Sequence, residues 1–227
     1  MRLGIAAVGS LTVLLTLVPG VPARAETGFR DSGRDVRVLQ TRLKRLGFPP
    51  GPVNGRYGKE TRSAVWAFQK ANGLKATNQI NRRTARALWQ PRKLRPLVRG
   101  AHGRRIEIDL RRQLLTVWQG RRPLLVSHIS TGANKYYCDN GVCGFARTPI
   151  GDFRVTRKIK GWHTGRLGSM YYPAFFVGGV ALHGSTAVPG RPASHGCVRI
   201  PLHNAKRVYR LVRIGTPVHV RNPDRRR

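Results

Sequence analysis

The chain has 227 residues, room for one domain of ordinary size and a small one. Lys and Arg number 43 against 9 Asp and Glu, a formal charge of +34, and 40% of the residues are hydrophobic. That apolar content supports folded cores and excludes a wholly disordered chain. The charge draws such a surface to anionic polymers (nucleic acid, anionic lipid or cell-wall polymers), and composition does not choose among them.

The N-terminus narrows the choice. Arg2, an apolar run from Leu3 to Val18, the breakers Pro19, Gly20 and Pro22, and the small-x-small Ala23-Arg24-Ala25 read as a cleaved secretory signal over residues 1–25. The competing reading, a retained anchor, needs a longer apolar span. The expectation is an exported protein of the cell envelope, with no nucleic-acid partner and no stable membrane insertion once the signal is removed. Three Cys are few for a disulfide framework, and an odd one in an exported protein calls for a reactive thiol or an intermolecular bond.

Residues 31–90 carry helical periodicity. Val36, Leu39, Leu43 and Leu46 share one face of a helix stopped by Gly47. A second helix, about Glu60 to Ala71, turns Ala64, Val65, Phe68 and Ala71 inward and ends at Asn72-Gly73. A third, about Arg82 to Trp89, has Ala85, Leu88 and Trp89 as its apolar side. Val36-x-x-Leu39-Gln40-x-x-Leu43-x-x-Leu46-Gly47-Phe48, then Gly51-Pro-Val-Asn54-Gly55-x-Tyr57-Gly58-x-x-Thr61-x-x-Ala64-Val65-x-x-Phe68-Gln69, resembles the three-helix peptidoglycan-binding module. It departs from that pattern at Asn54, where Asp is usual, and at Thr77-Asn78-Gln79, which replaces a second Asp-Gly turn. Gln40 and Gln69 read as ties between loops and helices.

Residues 91–103, with two Pro, two Gly and four basic residues, read as an interdomain linker. From Arg104 the period changes to two. Ile106, Ile108 and Leu110 alternate with Glu107 and Asp109; Leu115 and Val117, then Leu124 and Val126, follow around a turn at Gln119-Gly120. Further strands are expected at 151–159, 174–182 and 217–221, and one short helix at 204–212 with Ala205, Val208, Tyr209 and Val212 inward. The fold class is therefore α+β and multidomain: a small three-helix module over 31–90, then a mainly-β domain over 104–222 with one short helix.

The chemistry concentrates in Gly178-Gly-Val-Ala-Leu-His183-Gly184 and Ser194-His195-Gly196-Cys197-Val198-Arg199. A Cys becomes a nucleophile when a base or local positive charge favours its thiolate. His183 stands at the end of an alternating segment, and the Pro- and Gly-rich stretch after it can return Cys197 towards it. The amides of Gly196 and Cys197 are candidate oxyanion donors. On spacing alone the alternative is a buried structural Cys beside two hydrogen-bonded His.

His-Gly, a Gly/Pro-rich loop and Ser-His-Gly-Cys-x-Arg resemble the active-site signature of L,D-transpeptidases of the YkuD type. Ile106-x-Ile108-Asp109-Leu110, Ser130-Thr131-Gly132, Thr148-Pro149-x-Gly151-x-Phe153 and Gly215-Thr-Pro217-Val218-x-Val220 extend the resemblance across the domain. The resemblance implies Cys197 as nucleophile, His183 as its base, and His195 and Gly196 shaping the oxyanion site. It further implies Ser194 supporting the turn, Arg199 holding a stem-peptide carboxylate or ordering the loop around the site, and the Gly184 carbonyl orienting His183. Tyr172 joins Tyr171 and Phe175 as candidates for a groove wall or for core. The implied reaction is acyl transfer from a peptidoglycan tetrapeptide stem, with loss of D-Ala, to an amine of a neighbouring stem in a 3→3 cross-link. With water as acceptor it becomes an L,D-carboxypeptidase, and a non-catalytic wall-binding protein is the reading from another class. The partners implied are stem peptides and anionic wall polymers; no cofactor and no metal are required.

Cys138-Asp-Asn-Gly-Val-Cys143 lies between the Thr-Gly and Thr-Pro-x-Gly motifs. In an oxidising compartment it reads as a local disulfide that shapes a loop, with a metal pair or free thiols as alternatives. His128, His203 and His219 carry no supporting pattern. The charge is spread, +10 over 26–90 and +16 over 104–222, which suits retention on a polyanionic wall. Because every candidate catalytic residue follows the linker, the helical module is expected to be separable from turnover.

Overall fold

The computed structural model describes residues 31–223 and the backbone of the short strand β1 (Thr27–Gly28); the signal segment expected over 1–25 lies outside the described residues. The N-terminal unit consists of α1 (Arg34–Arg45), α2 (Lys59–Ala71), β2 (Gln79–Ile80) and α3 (Arg82–Trp89), with β2 paired to β1. The first two helices end alike. Phe48 N–H reaches Leu43 O and Gly47 N–H reaches Lys44 O; Leu74 N–H reaches Gln69 O and Gly73 N–H reaches Lys70 O. Both endings are the Schellman arrangement, which needs φ > 0 after the cap, supplied by Gly47 at +86° and Gly73 at +72°. Val36, Leu39, Leu43, Ala64, Val65 and Phe68 form the core as the periodicity predicts. Gln40 Nε2 donates to Arg56 O and Thr61 Oγ1, and Gln69 Nε2 donates to Gln79 O and Thr84 Oγ1, so each ties a loop to a helix. Trp89 departs from expectation. It is 68% exposed, lying beneath the Arg42 guanidinium, and Thr84 and Leu88 are the buried residues of α3.

The second unit packs two five-stranded sheets. One has the order β5 (Arg122–His128), β4 (Leu114–Gln119), β3 (Arg104–Asp109), β14 (Pro217–Arg221), β8 (Gly151–Arg154). The other runs β10 (Trp162–Gly165), β11 (Gly168–Val177), β12 (Val180–Ser185), β13 (Val198–Pro201), with β9 (Arg157–Lys158) also on β11. Between them lie Ile106, Ile108, Leu115, Val117, Leu182, Val198, Ile200, Val218 and Val220, together with Val208 of α4 (Leu202–Leu211). The α+β, two-part architecture expected from the sequence is the one observed.

Two local expectations change. The strand expected over 151–159 divides into β8 and β9, which belong to different sheets. The strand expected over 174–182 is a hairpin, turned at Gly178-Gly179 with Gly178 at φ +49°, and His183 sits inside β12. Glu107 and Asp109, which alternate with the apolar Ile106, Ile108 and Leu110, are buried as well.

That burial has a structural cause. The face of the first sheet bearing Arg105, Glu107, Leu114 and Val126 is covered by the helical module and by residues 91–103. Leu114 and Val126 belong to the module's own core cluster, with Leu94 packed against it. Glu107 pairs with Arg105 at 2.8 Å, and its other oxygen accepts Leu97 N–H at 2.7 Å. Val126 N–H, on the edge strand β5, is taken by Gly47 O at 2.8 Å. The segment read as a linker contributes Leu94 and the Leu97 amide to this contact, and the module is docked on the sheet.

Candidate active site

Strands β12 and β13 are parallel, with Leu182 opposite Val198 and His183 opposite Arg199. Leu182, Gly184, Val198 and Ile200 face the core. Alternation therefore sends Ala181, His183, Cys197 and Arg199 to the opposite face, with Phe175, which pairs with Ala181. His183 is 6% exposed, and its Nδ1 lies 2.9 Å from Gly184 O. A carbonyl only accepts, so Nδ1 carries the proton and Nε2 presents its lone pair. Burial, chiefly, lowers the His183 pKa to about 4, with Arg199 adding to the effect and the Gly184 bond opposing it. Burial likewise raises the Cys197 thiol, while the Ala181 amide and the Arg199 charge oppose that rise. The resting site thus holds a thiol and a neutral imidazole. Cys197 Sγ contacts Gly179 O at 3.8 Å, and among the described residues no hydrogen bond joins it to His183.

The turn before Cys197 is tightly tied. Ser194 Oγ donates to Cys197 O at 2.5 Å and accepts Gly196 N–H at 3.1 Å. Thr148 Oγ1 donates to Gly196 O at 2.6 Å and accepts Gly132 N–H at 2.9 Å. Gly196 sits at φ +141°, where a Cβ would come within 3.1 Å of Arg147 O. The Gly196 N–H is thus drawn to Ser194 Oγ within the turn, and the glycine's conformation serves that turn. Arg199 is half-buried, and among the described residues no carboxylate pairs with it. Tyr172, at φ +51° in a bulge of β11, stacks edge-on against Tyr171 and against Tyr209 of α4. Its ring contacts are with that cluster.

Cys138 and Cys143 are disulfide-bonded across the hairpin formed by β6 (Tyr136–Asp139) and β7 (Val142–Phe145). Asn140 and Gly141, both at positive φ, make its two-residue turn.

The residues that hold this site are matched by comparison with known proteins. Residues 103–220 match the L,D-transpeptidase catalytic domain family (YkuD), and residues 32–88 match a peptidoglycan binding domain family (PG_binding_1). A solved L,D-transpeptidase structure from Xylanimonas cellulosilytica DSM 15894 is 37% identical, with a TM-score of 0.80 over 88% of this chain and 99% of that one.

The chain belongs to the L,D-transpeptidase family.

Curated relatives match over short stretches. The carboxy-terminal processing protease CtpB of Bacillus subtilis (strain 168) is 42% identical over 59 residues, 26% of this chain. The N-acetylmuramoyl-L-alanine amidase CwlM of Mycobacterium tuberculosis (strain ATCC 25618 / H37Rv) is 40% identical over 57 residues, 25% of this chain. The matched stretches are 12% and 14% of those relatives' lengths. No helix among the described residues is long and apolar enough to cross a membrane.

Sequence reasoning missed four contributors of this L,D-transpeptidase fold. Asp139 Oδ2 lies 2.9 Å from His195 Nε2, and the Tyr137 ring stacks on His195 at 4.4 Å. His128, buried beside Trp66, donates from Nε2 to Pro189 O at 3.0 Å, in the loop leading to Ser194. Lys70 of α2 donates to His128 Nδ1 at 3.1 Å and to Gly190 O at 3.3 Å. None of these partners is near the other in sequence, so no local pattern could show them.

Proposed function

We propose that this L,D-transpeptidase is exported and works at the cell wall through an acyl-enzyme on Cys197. The reading rests on one observation: Cys197, His183 and an Arg199 unpaired among the described residues share one sheet face, with the His183 lone pair fixed by Gly184 O. The donor is the tetrapeptide stem of peptidoglycan, its carboxylate held by Arg199. His183 Nε2 takes the thiol proton as sulfur attacks the carbonyl after the third residue, then gives it to the departing D-Ala amine. General-base help of this kind is worth about 10²–10⁴-fold. An amine of a neighbouring stem then attacks the thioester and forms a 3→3 cross-link. The helical module and the distributed positive charge hold the enzyme to peptidoglycan and anionic wall polymers. Incubation with a purified disaccharide-tetrapeptide, followed by mass spectrometry, tests the reading. D-Ala release with a cross-linked dimer is expected. D-Ala release with tripeptide alone would make the enzyme a carboxypeptidase, and no release would leave a wall-binding protein.

A further inference from the structure

The geometry points to Asp139 and His195 as the acceptor side of the site: an anionic seat for the incoming ammonium with an imidazole to deprotonate it. This rests on the acyl-transfer reading above and addresses what it leaves open, how an amine is taken in preference to water.

The hairpin of β6 and β7 lies across the face that carries Cys197 and His183. Its stem meets His195, just before β13 at one edge of the sheet. Its tip reaches the other edge, where Asn140 Nδ2 donates to Arg166 O at 3.1 Å in the β10–β11 turn. The opposite sheet face is filled by core, so the hairpin crosses on the side of the nucleophile. The disulfide joins Cys138 to Cys143, and Asp139 is the residue after Cys138, so the bridge fixes the strand that presents it.

Asp139 is chemically out of place in this chain. Among the described residues, the other acids of the catalytic domain are Glu107 and Asp109, both buried, and Asp152, held by Arg221 and His219. Asp139 is 61% exposed, with His195 Nε2 as its hydrogen-bond partner at 2.9 Å. An exposed carboxylate bonded to His195 of the catalytic turn, on a surface otherwise basic, attracts a cation where attraction is otherwise weak. Stem-peptide acceptors are primary amines, protonated near neutral pH.

The pair also has the right proton inventory. A carboxylate only accepts, so His195 Nε2 carries the proton and Nδ1 has a lone pair. The acceptor R–NH3⁺ gives one proton to His195 Nδ1, and Asp139 stabilises the imidazolium. The freed amine pair forms the new C–N bond at the thioester carbonyl. The C–S bond breaks, with its electron pair going to Cys197 Sγ. The second amine proton passes through His183 Nε2 to that sulfur, and His195 returns its proton to water. Amide, thiol and one released proton account for every atom.

The test is the ratio of cross-linked to hydrolysed product from one donor tetrapeptide, measured with a cationic acceptor and with hydroxylamine, a nucleophile uncharged near neutral pH. In Asp139→Asn the ratio for the cationic acceptor is expected to fall about three- to fivefold, the upper worth of one charged contact at an exposed site. The ratio for hydroxylamine and the rate of D-Ala release during acylation should move by less than about twofold. Asp139→Glu should restore part of the cationic ratio, and Asp152→Asn, on a distant strand, should leave it unchanged. An unchanged ratio in Asp139→Asn, or an equal loss with both nucleophiles, overturns the proposal. Absence of acylation in the unsubstituted enzyme would instead overturn the acyl-transfer reading itself.

Discussion

Lys70→Met tests the docking of the module on the catalytic domain. The substitution keeps an unbranched stem of similar length on α2 and removes the ammonium that bonds His128 Nδ1 at 3.1 Å and Gly190 O at 3.3 Å. His128 is 1% exposed, so its Nδ1 is left as a buried acceptor without a donor, a loss of about 1–3 kcal/mol. Relief of the burial that pulls the Lys70 pKa to about 8 offsets part of this. A net loss of about 1–2 kcal/mol corresponds to a fall in Tm of roughly 3–6 °C for a protein of this size. Lys70 also repels a proton on His128, whose pKa burial and Lys70 together hold at about 3, so the His128 pKa should rise in the variant. Thermal unfolding, NMR titration of His128 and amide exchange over 186–193 measure these effects. An unchanged Tm together with unchanged exchange in that loop would refute the claim that α2 fastens it. The same contacts bear on truncation. Removing residues 31–90 uncovers Leu114 and Val126, so the catalytic domain alone should lose stability, in contrast to the separability that the sequence suggests.

Further expectations follow from the site and the surface. His183→Ala should slow acylation of Cys197 by a carbapenem about 10²-fold or more, whereas His219→Ala should not; equal rates would mean that the base is elsewhere. Because burial raises the Cys197 thiol, its alkylation by iodoacetamide should climb only above the ordinary thiol range near pH 8.5, and a plateau at neutral pH would contradict a resting thiol. His128 and His183 are held at about 3 and about 4, below the ~6.5 they have unfolded, so their contribution to stability is complete above pH 6.5 and is lost as pH falls towards those values. A Tm at pH 4.5 no lower than at pH 7 would contradict that burial. Sedimentation with wall sacculi should weaken as the Debye length shrinks from about 10 Å at 0.1 M salt to about 3 Å at 1 M, and binding that survives belongs to the module; none surviving would mean that charge alone retains the enzyme.

The sequence was most legible where structure is local. The helical faces of 31–90, the opening β3–β4 hairpin with Ile106 opposite Val117, and the Ser194–Cys197 turn all follow from short-range spacing. Legibility failed where the second face of an element is covered by something distant. Nothing near Glu107 in sequence announces that Arg105 and the Leu97 amide enclose it. The Gly178-Gly179 turn reads as strand because two glycines amid β-formers fit either. At the site, the Cys and His were readable from their motif. The bond of the Gly196 amide to Ser194, and the approach of Asp139 from a hairpin 56 residues away, are matters of tertiary placement.

The most direct test of the account is intact-protein and peptide mass spectrometry of the enzyme quenched during turnover of a disaccharide-tetrapeptide. The predicted result is a mass increase equal to the donor less D-Ala, confined to the peptide containing Cys197, present in the unsubstituted enzyme and absent in Cys197→Ala. Turnover of the stem by Cys197→Ala, or an adduct on Cys138 or Cys143 in place of Cys197, would contradict it.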